Sequence, residues 1–322
     1  MRSLAVLSLL LLGAVPGLAQ QPSAPEFTTG RPLGVMVDGQ HTRTSANVKV
    51  FGGVVNAESC SYDSTRDLIM VVNRGTNQDA VPNDGFVSLL NRDGSVHTTA
   101  WIGASRDGLL LNHPFGSDIH DGRLYLADSD GGTADGATRV AVLRTFDVAS
   151  GRPLTSVTVG ESAWFNDIAV AQDGTVFATQ TGTSDGQTPM RLFRIAPDGT
   201  ASLLVDGTPL ARPNGVEVDA DGNVVVANMD SDSILTFSPQ GELLKTERSA
   251  QAGSDGLVIL PSGEKLVSSV LHGGITRLRP GEPPELIATG IPNAASMCYD
   301  PVKRQIIIPM NLNNALAFVS LP

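Results

Sequence analysis

Four oxygen-bearing side chains recur at one position of an internal repeat: Glu58, Asn166, Asn214 and Asp255. The same register holds Phe115 and Ala295 in the two remaining copies. Two carboxylates and two amide carbonyls brought to one wet, low-dielectric pocket suit a hard divalent cation, because Ca²⁺ and Mg²⁺ take oxygen ligands and keep bound water. Ca²⁺ fits that donor set best, with Mg²⁺, Mn²⁺ or Zn²⁺ as further options. Each residue also has a plainer reading. Asn214-Gly215 and Asp255-Gly256 are ordinary turn dipeptides, and Asn166 can cap a local turn through its side chain. Glu58 is harder to dismiss, since an acid buried beside a channel costs free energy unless it is paired or metal-bound.

Other chemistries find less support. The five histidines (41, 97, 113, 120 and 272) show no His-x-x-x-His spacing, which disfavours a zinc site of the metalloprotease kind. The Gly-Ser-Asp segments give no Gly-x-Ser-x-Gly nucleophile elbow, and no glycine-rich phosphate loop leads from a strand into a helix. The acidic run from Asp128 to Asp135 resembles half a calcium loop but lacks the terminal glutamate, and reads as an exposed hairpin loop.

The elements that must position these residues are short β-rich runs such as Leu68–Val72, Val224–Ala227 and Gln305–Ile308, without helical periodicity. Thirteen Asp-Gly dipeptides punctuate them, and Asp-Gly supplies the positive φ that tight hairpins demand. Arg212–Asn228, Trp164–Thr179 and Gly253–Ser268 superpose without a gap, each with a glycine eight residues after its leading Asn or Asp. Ala57–Val71, Pro114–Asp128 and Ala294–Ile308 are looser copies. The marker residues are spaced by 57, 51, 48, 41 and 40 residues. Each copy is followed by a second hairpin half, for example Arg191–Gly199 or Ser233–Gly241, so one unit holds the four strands of a propeller blade.

Six units predict an all-β, six-bladed β-propeller spanning residues 44–322. Its last unit has room for about three strands, so a segment near Asn47 to Phe51 is expected to close the ring. The loops entering the innermost strands then converge on the axis and bring the marker residues together. Cys60 and Cys298 fall in the inner strands of the first and last blades, one position out of phase, and could face each other across the closing seam as a disulfide.

Composition bounds the remainder. The 322 residues carry 22 Lys+Arg against 33 Asp+Glu, for a formal charge of −11, and no basic run supplies the patch that nucleic-acid binding needs. Residues 1–19 read as a secretory signal peptide: Arg2, an apolar run from Leu4 to Val15 too short to span a bilayer, and the small residues Gly17 and Ala19 before a cleavage site. Residues 20–43 read as a partly disordered lead-in. A secreted or periplasmic protein is expected, with a small-molecule partner and no nucleic-acid or membrane partner after cleavage.

The order Glu58, Phe165-Asn166-Asp167, Pro213-Asn214-Gly215 and Ser254-Asp255-Gly256 resembles the senescence-marker-protein, gluconolactonase and luciferin-regenerating-enzyme family of six-bladed propellers, over essentially the whole mature chain. The resemblance implies one divalent metal on Glu58, Asn214 and Asp255, with Asn166 contacting metal-bound water or substrate. It implies hydrolysis of a small lactone or ester, with Asp255 as general base, Asn166 orienting substrate or steadying the oxyanion, and Phe115 lining the substrate site. The family's Glu-Gly-Pro is Glu58-Ser59-Cys60 here, and no clear counterpart of its substrate-binding basic residue is visible. A non-catalytic propeller similar to the NHL-repeat sensors, binding a ligand or protein partner, is the alternative.

Overall fold

The computed structural model describes residues 35–37, 40–75, 84–104, 106, 109, 111–131 and 139–321. The chain divides into a unit of residues 1–31, outside the described residues together with the signal-peptide segment, and a unit of residues 32–322. The second unit is a ring of six four-stranded antiparallel sheets.

Blade 1 comprises Ala57–Asp63, Leu68–Asn73, Phe86–Asn91 and Val96–Gly103. Blade 2 comprises Ser117–His120, Arg123–Gly131, Arg139–Asp147 and Pro153–Val159. Blade 3 runs through Ile168–Val170, Val176–Gln180, Arg191–Ile195 and Ala201–Asp206. Blade 4 runs through Pro213–Val218, Val224–Asn228, Ser233–Phe237 and Leu243–Arg248. Blade 5 holds Ser254–Ile259, Lys265–Ser269, Ile275–Leu278 and Glu285–Ala288. Blade 6 holds Cys298–Asp300, Gln305–Met310 and Ala315–Ser320, and its outer strand is Val48–Phe51 from the other end of the chain, paired with Ala315–Ser320. The ring therefore closes where the sequence placed the closing strand. A short hairpin, Val35–Val37 with Gln40–Thr42, lies within the stretch read as lead-in.

The core is divided among the six interfaces between neighbouring blades. Side chains alternate across a strand, so one strand feeds two interfaces. Ile69 and Val71 pack toward blade 6, whereas Leu68, Met70 and Val72 pack toward blade 2. Val224 and Val226 serve the interface with blade 3, and Val225 and Ala227 that with blade 5. Both faces being covered, these second strands read as unbroken apolar runs. The outermost strands of blades 3 and 4 are mostly exposed, including Leu203, Leu243 and Leu244.

The turn glycines behave as their repeat register predicts: Gly174, Gly222 and Gly263 have φ of 83°, 81° and 83°. The seam between blades 6 and 1 carries the Cys60–Cys298 disulfide, with Cα atoms 5.4 Å apart. Opposite phasing on adjacent strands is what points the two sulfurs toward each other.

Candidate active site

The marker residues enter the channel by a repeated backbone device. In blades 2, 3 and 6 the marker N–H bonds to a carbonyl of the second strand: Phe115 to that of Ala127 (2.9 Å), Asn166 to that of Thr179 (2.7 Å) and Ala295 to that of Pro309 (2.9 Å). In blades 1, 4 and 5 the ladder is interrupted at that point, between Ala57 and Ser59, Pro213 and Val216, and Ser254 and Leu257. Such a bulge unpairs a residue and re-aims its side chain, and the residues re-aimed are Glu58, Asn214 and Asp255. Asn214-Gly215 and Asp255-Gly256 are thus not turns. Their glycines are needed for a different reason: a Cβ on Gly215 would lie 2.2 Å from the Asp255 carbonyl oxygen, and one on Gly256 would lie 2.6 Å from that of Ala295. Inner strands of successive blades approach too closely there for a side chain.

A second repeated device holds the loop leading to each marker. A polar side chain of the second strand accepts a loop N–H: Asn73 from Val55 (2.8 Å), Asp128 from His113 (2.7 Å), Gln180 from Ala163 (3.3 Å) and Asn228 from Ala211 (2.8 Å). In blade 5 Ser269 donates instead to the Ala252 carbonyl (2.6 Å). This corrects the reading of Asp128 as part of an exposed loop. Its carboxylate is buried, takes the His113 and Asn112 amides, and is paired with Arg144 at 2.7 Å.

Glu58, Asn214 and Asp255 are all buried. Asn214 Nδ2 donates to Asp255 Oδ2 at 3.0 Å, and the Glu58 charge reaches Asp255. Asn214 Oδ1 and Asp255 Oδ1 are buried with no hydrogen-bond partner. Two orphaned acceptors of this kind fit a hard cation, which takes oxygen donors. Among the described residues no group of three or more His, Cys, Asp or Glu side chains is placed to hold a metal ion. The expected set has two carboxylates, and its third donor is the Asn214 amide. Asn166 is half-buried and donates to Thr181 Oγ1 (2.8 Å) within its own blade. Phe115 and Ala295 form the apolar part of the ring.

Sequence reasoning missed the residues that surround Glu58. Arg74 Nη1 stands 3.1 Å from Glu58 Oε2, and Asn311 Nδ2 donates to the same oxygen at 3.1 Å. The Arg74 guanidinium lies 4.9 Å from the Phe115 ring centroid, and the His113 ring packs edge-on to that phenyl with centroids 4.7 Å apart. Arg74 directly follows the second strand of blade 1, a position at which the other copies place no arginine. That break in the repeat was the available signal.

Electrostatics in the channel are dominated by buried acids. Burial, then the Glu58 and Asp167 charges, push Asp255 well above the usual carboxylate range, against Arg74 and the Asn214 amide. Asp167 rises to about 7 through burial, although the Val216 and Ile168 amides and the Ser296 hydroxyl favour its ionised form. Glu217 is pushed well up by burial and by the Asp118 and Asp167 charges, and Asp118 rises through burial. These last three acids line, with Ser61, Ser117 and Ser296, a narrow cavity of about 100 Å³.

Comparison with known proteins bears on this geometry. A model of the SMP-30/Gluconolactonase/LRE-like region matches residues 93–299. No curated protein matches the sequence. Among solved structures, a gluconolactonase from Xanthomonas campestris is 18% identical with a TM-score of 0.60, over 91% of this chain and 99% of its own. Virginiamycin B lyase from Staphylococcus aureus is 11% identical with a TM-score of 0.58, over 87% of this chain and all (100%) of its own. At such identities the likeness is one of fold, and the two names span different chemistries on it.

Proposed function

The chain belongs to the SMP-30/gluconolactonase/LRE-like family, and from that premise we propose that it is an exported, divalent-metal-dependent hydrolase of the lactonase type, acting on a small lactone or ester. The observation that carries the reading is the pair of buried, unpartnered acceptors, Asn214 Oδ1 and Asp255 Oδ1, alongside the Glu58 carboxylate.

Glu58, Asn214 and Asp255 would hold the cation, Ca²⁺ being the best match to three oxygen donors. When bound, the cation supplies Lewis acidity toward the substrate carbonyl and the positive charge that favours an ionised Asp255. The residues do the rest. Asp255, pushed well up by burial and then by the Glu58 and Asp167 charges in the bare chain, becomes an acceptor for a proton of the attacking water once it is ionised. The Asn214 amide fixes its carboxylate through Oδ2. Asn166 orients the substrate with its amide, and Phe115 gives the site an apolar wall that excludes water. The leader at residues 1–19 supports a periplasmic or secreted location, and the Cys60–Cys298 bond suits an oxidising compartment.

The test is a pH-indicator screen of sugar and aliphatic lactones with the metal-stripped chain, re-supplied with Ca²⁺, Mg²⁺, Mn²⁺ or Zn²⁺. Turnover restored by a metal, removed by EDTA and lost in Asp255→Ala is the expected result. A chain that turns over no lactone with any metal, or an Asp255→Ala variant as active as the parent, overturns it.

A further inference from the structure

The buried acceptors of Asn214 and Asp255 have counterparts of opposite sense elsewhere in the ring. Arg74 Nε and His113 Nε2 are also buried with no hydrogen-bond partner. Both groups pack on Phe115, so they belong to one wall of the channel, built from blades 1 and 2.

The chemistry of each atom is fixed by its surroundings. A guanidinium has only donors, so the contact of Arg139 Nη2 with His113 Nδ1 makes that nitrogen the acceptor. The proton of a neutral imidazole must then sit on Nε2. Burial, with the Arg139 and Arg74 charges, pushes His113 down to about 3, which keeps the ring neutral. Nε2–H is therefore a donor, as Arg74 Nε–H is by nature. Arg74 cannot turn freely to satisfy it, because Nη1 is held by Glu58 and Nη2 by Asn56 Oδ1 at 3.3 Å. His113 is held as firmly, through its own amide on Asp128 and its ring on Arg139. A buried donor left unpaired costs free energy, and each of these two lacks an acceptor within the protein.

We propose that Arg74 Nε–H and His113 Nε2–H are paired donors for a carboxylate of the bound ligand, and that the site is therefore selective for carboxylate-bearing molecules. Arg74 and Arg139 are the cations beside these two donors, with Glu58 taking one edge of Arg74. The inference rests on the lactonase reading for the origin of that carboxylate. Lactone hydrolysis forms a bond from water oxygen to the acyl carbon and breaks the ring C–O bond. The ring oxygen leaves as a hydroxyl carrying one water proton, and the new acid loses the other at neutral pH. The product is a hydroxy acid, with its charge where these donors can take it.

Calorimetric titration of the mature chain with gluconate and with sorbitol, which keeps the six-carbon polyol and lacks the charge, tests the idea. Gluconate is expected to bind at least tenfold more tightly than sorbitol. His113→Phe removes one donor, and Arg74→Lys keeps the charge beside Glu58 while removing Nε–H, so each should weaken gluconate about tenfold. His113→Gln, whose amide returns an N–H near the Nε2 position, should restore it. Thermal melting identifies any variant that fails to fold, in which case the His113→Phe and His113→Gln comparison decides. Equal affinity for the two probes, no binding of gluconate, or an unchanged affinity in His113→Phe overturns the inference. Lactone turnover without this carboxylate preference would leave the lactonase reading standing and sink the inference. Carboxylate binding without turnover of any lactone would do the reverse.

Discussion

Arg74 Nη1 lies 3.1 Å from Glu58 Oε2, with both side chains almost wholly out of solvent. The same guanidinium favours the ionised form of Asp255 and depresses His113, so one cation reaches across the channel to three titratable groups. Glu58 is thus paired in the bare chain, which answers how an acid is tolerated beside the axis.

Removing one partner of a buried pair strands the other charge. Arg74→Met in EDTA-treated protein should lower the unfolding free energy by about 3–5 kcal/mol, measured by urea denaturation. The double variant Arg74→Met/Glu58→Gln should cost clearly less than the two single changes added together. Strict additivity would show that the pair is not coupled.

Asp167 makes stability depend on pH. Its carboxyl rises from 3.8 in the unfolded chain to about 7 when folded, so the folded state binds the proton more tightly. The stabilisation is complete below about pH 4 and is lost as pH climbs through 7. Metal-free protein should lose stability between about pH 4 and 7. Asp167→Asn, which cannot ionise, should lose less by an amount on the order of a few kcal/mol. Parallel pH profiles for the two proteins, by chemical denaturation, would contradict this assignment.

The Cys60–Cys298 disulfide joins residues 238 apart across the seam that closes the ring. Reduction, or Cys60→Ser with Cys298→Ser, should destabilise the protein by about 2–5 kcal/mol, seen as a lower urea midpoint. An unchanged midpoint would mean that the apolar seam and the Val48–Phe51 strand suffice to hold the ring.

The sequence by itself determined the number of blades, the strand that closes them and the register at which Glu58, Asn166, Asn214 and Asp255 meet the axis. These follow from local signals: alternation of side chains, turn glycines such as Gly222, and a repeat whose copies align without gaps. Only the tertiary structure decided what each group meets there. Asn214-Gly215 looks like a turn in sequence and is a bulge, because the Asp255 carbonyl of the next blade occupies the space a Cβ would need. Asp128 looks like an exposed loop acid and is a buried latch, because the His113 loop lies over it. Arg74 shows nothing in its own neighbourhood of the chain that pairs it with Glu58, nor does His113 show that Arg139 fixes its tautomer. Those relationships depend on side chains converging from different strands and blades. Local pattern sets which way a residue points, and the closed ring sets what it finds.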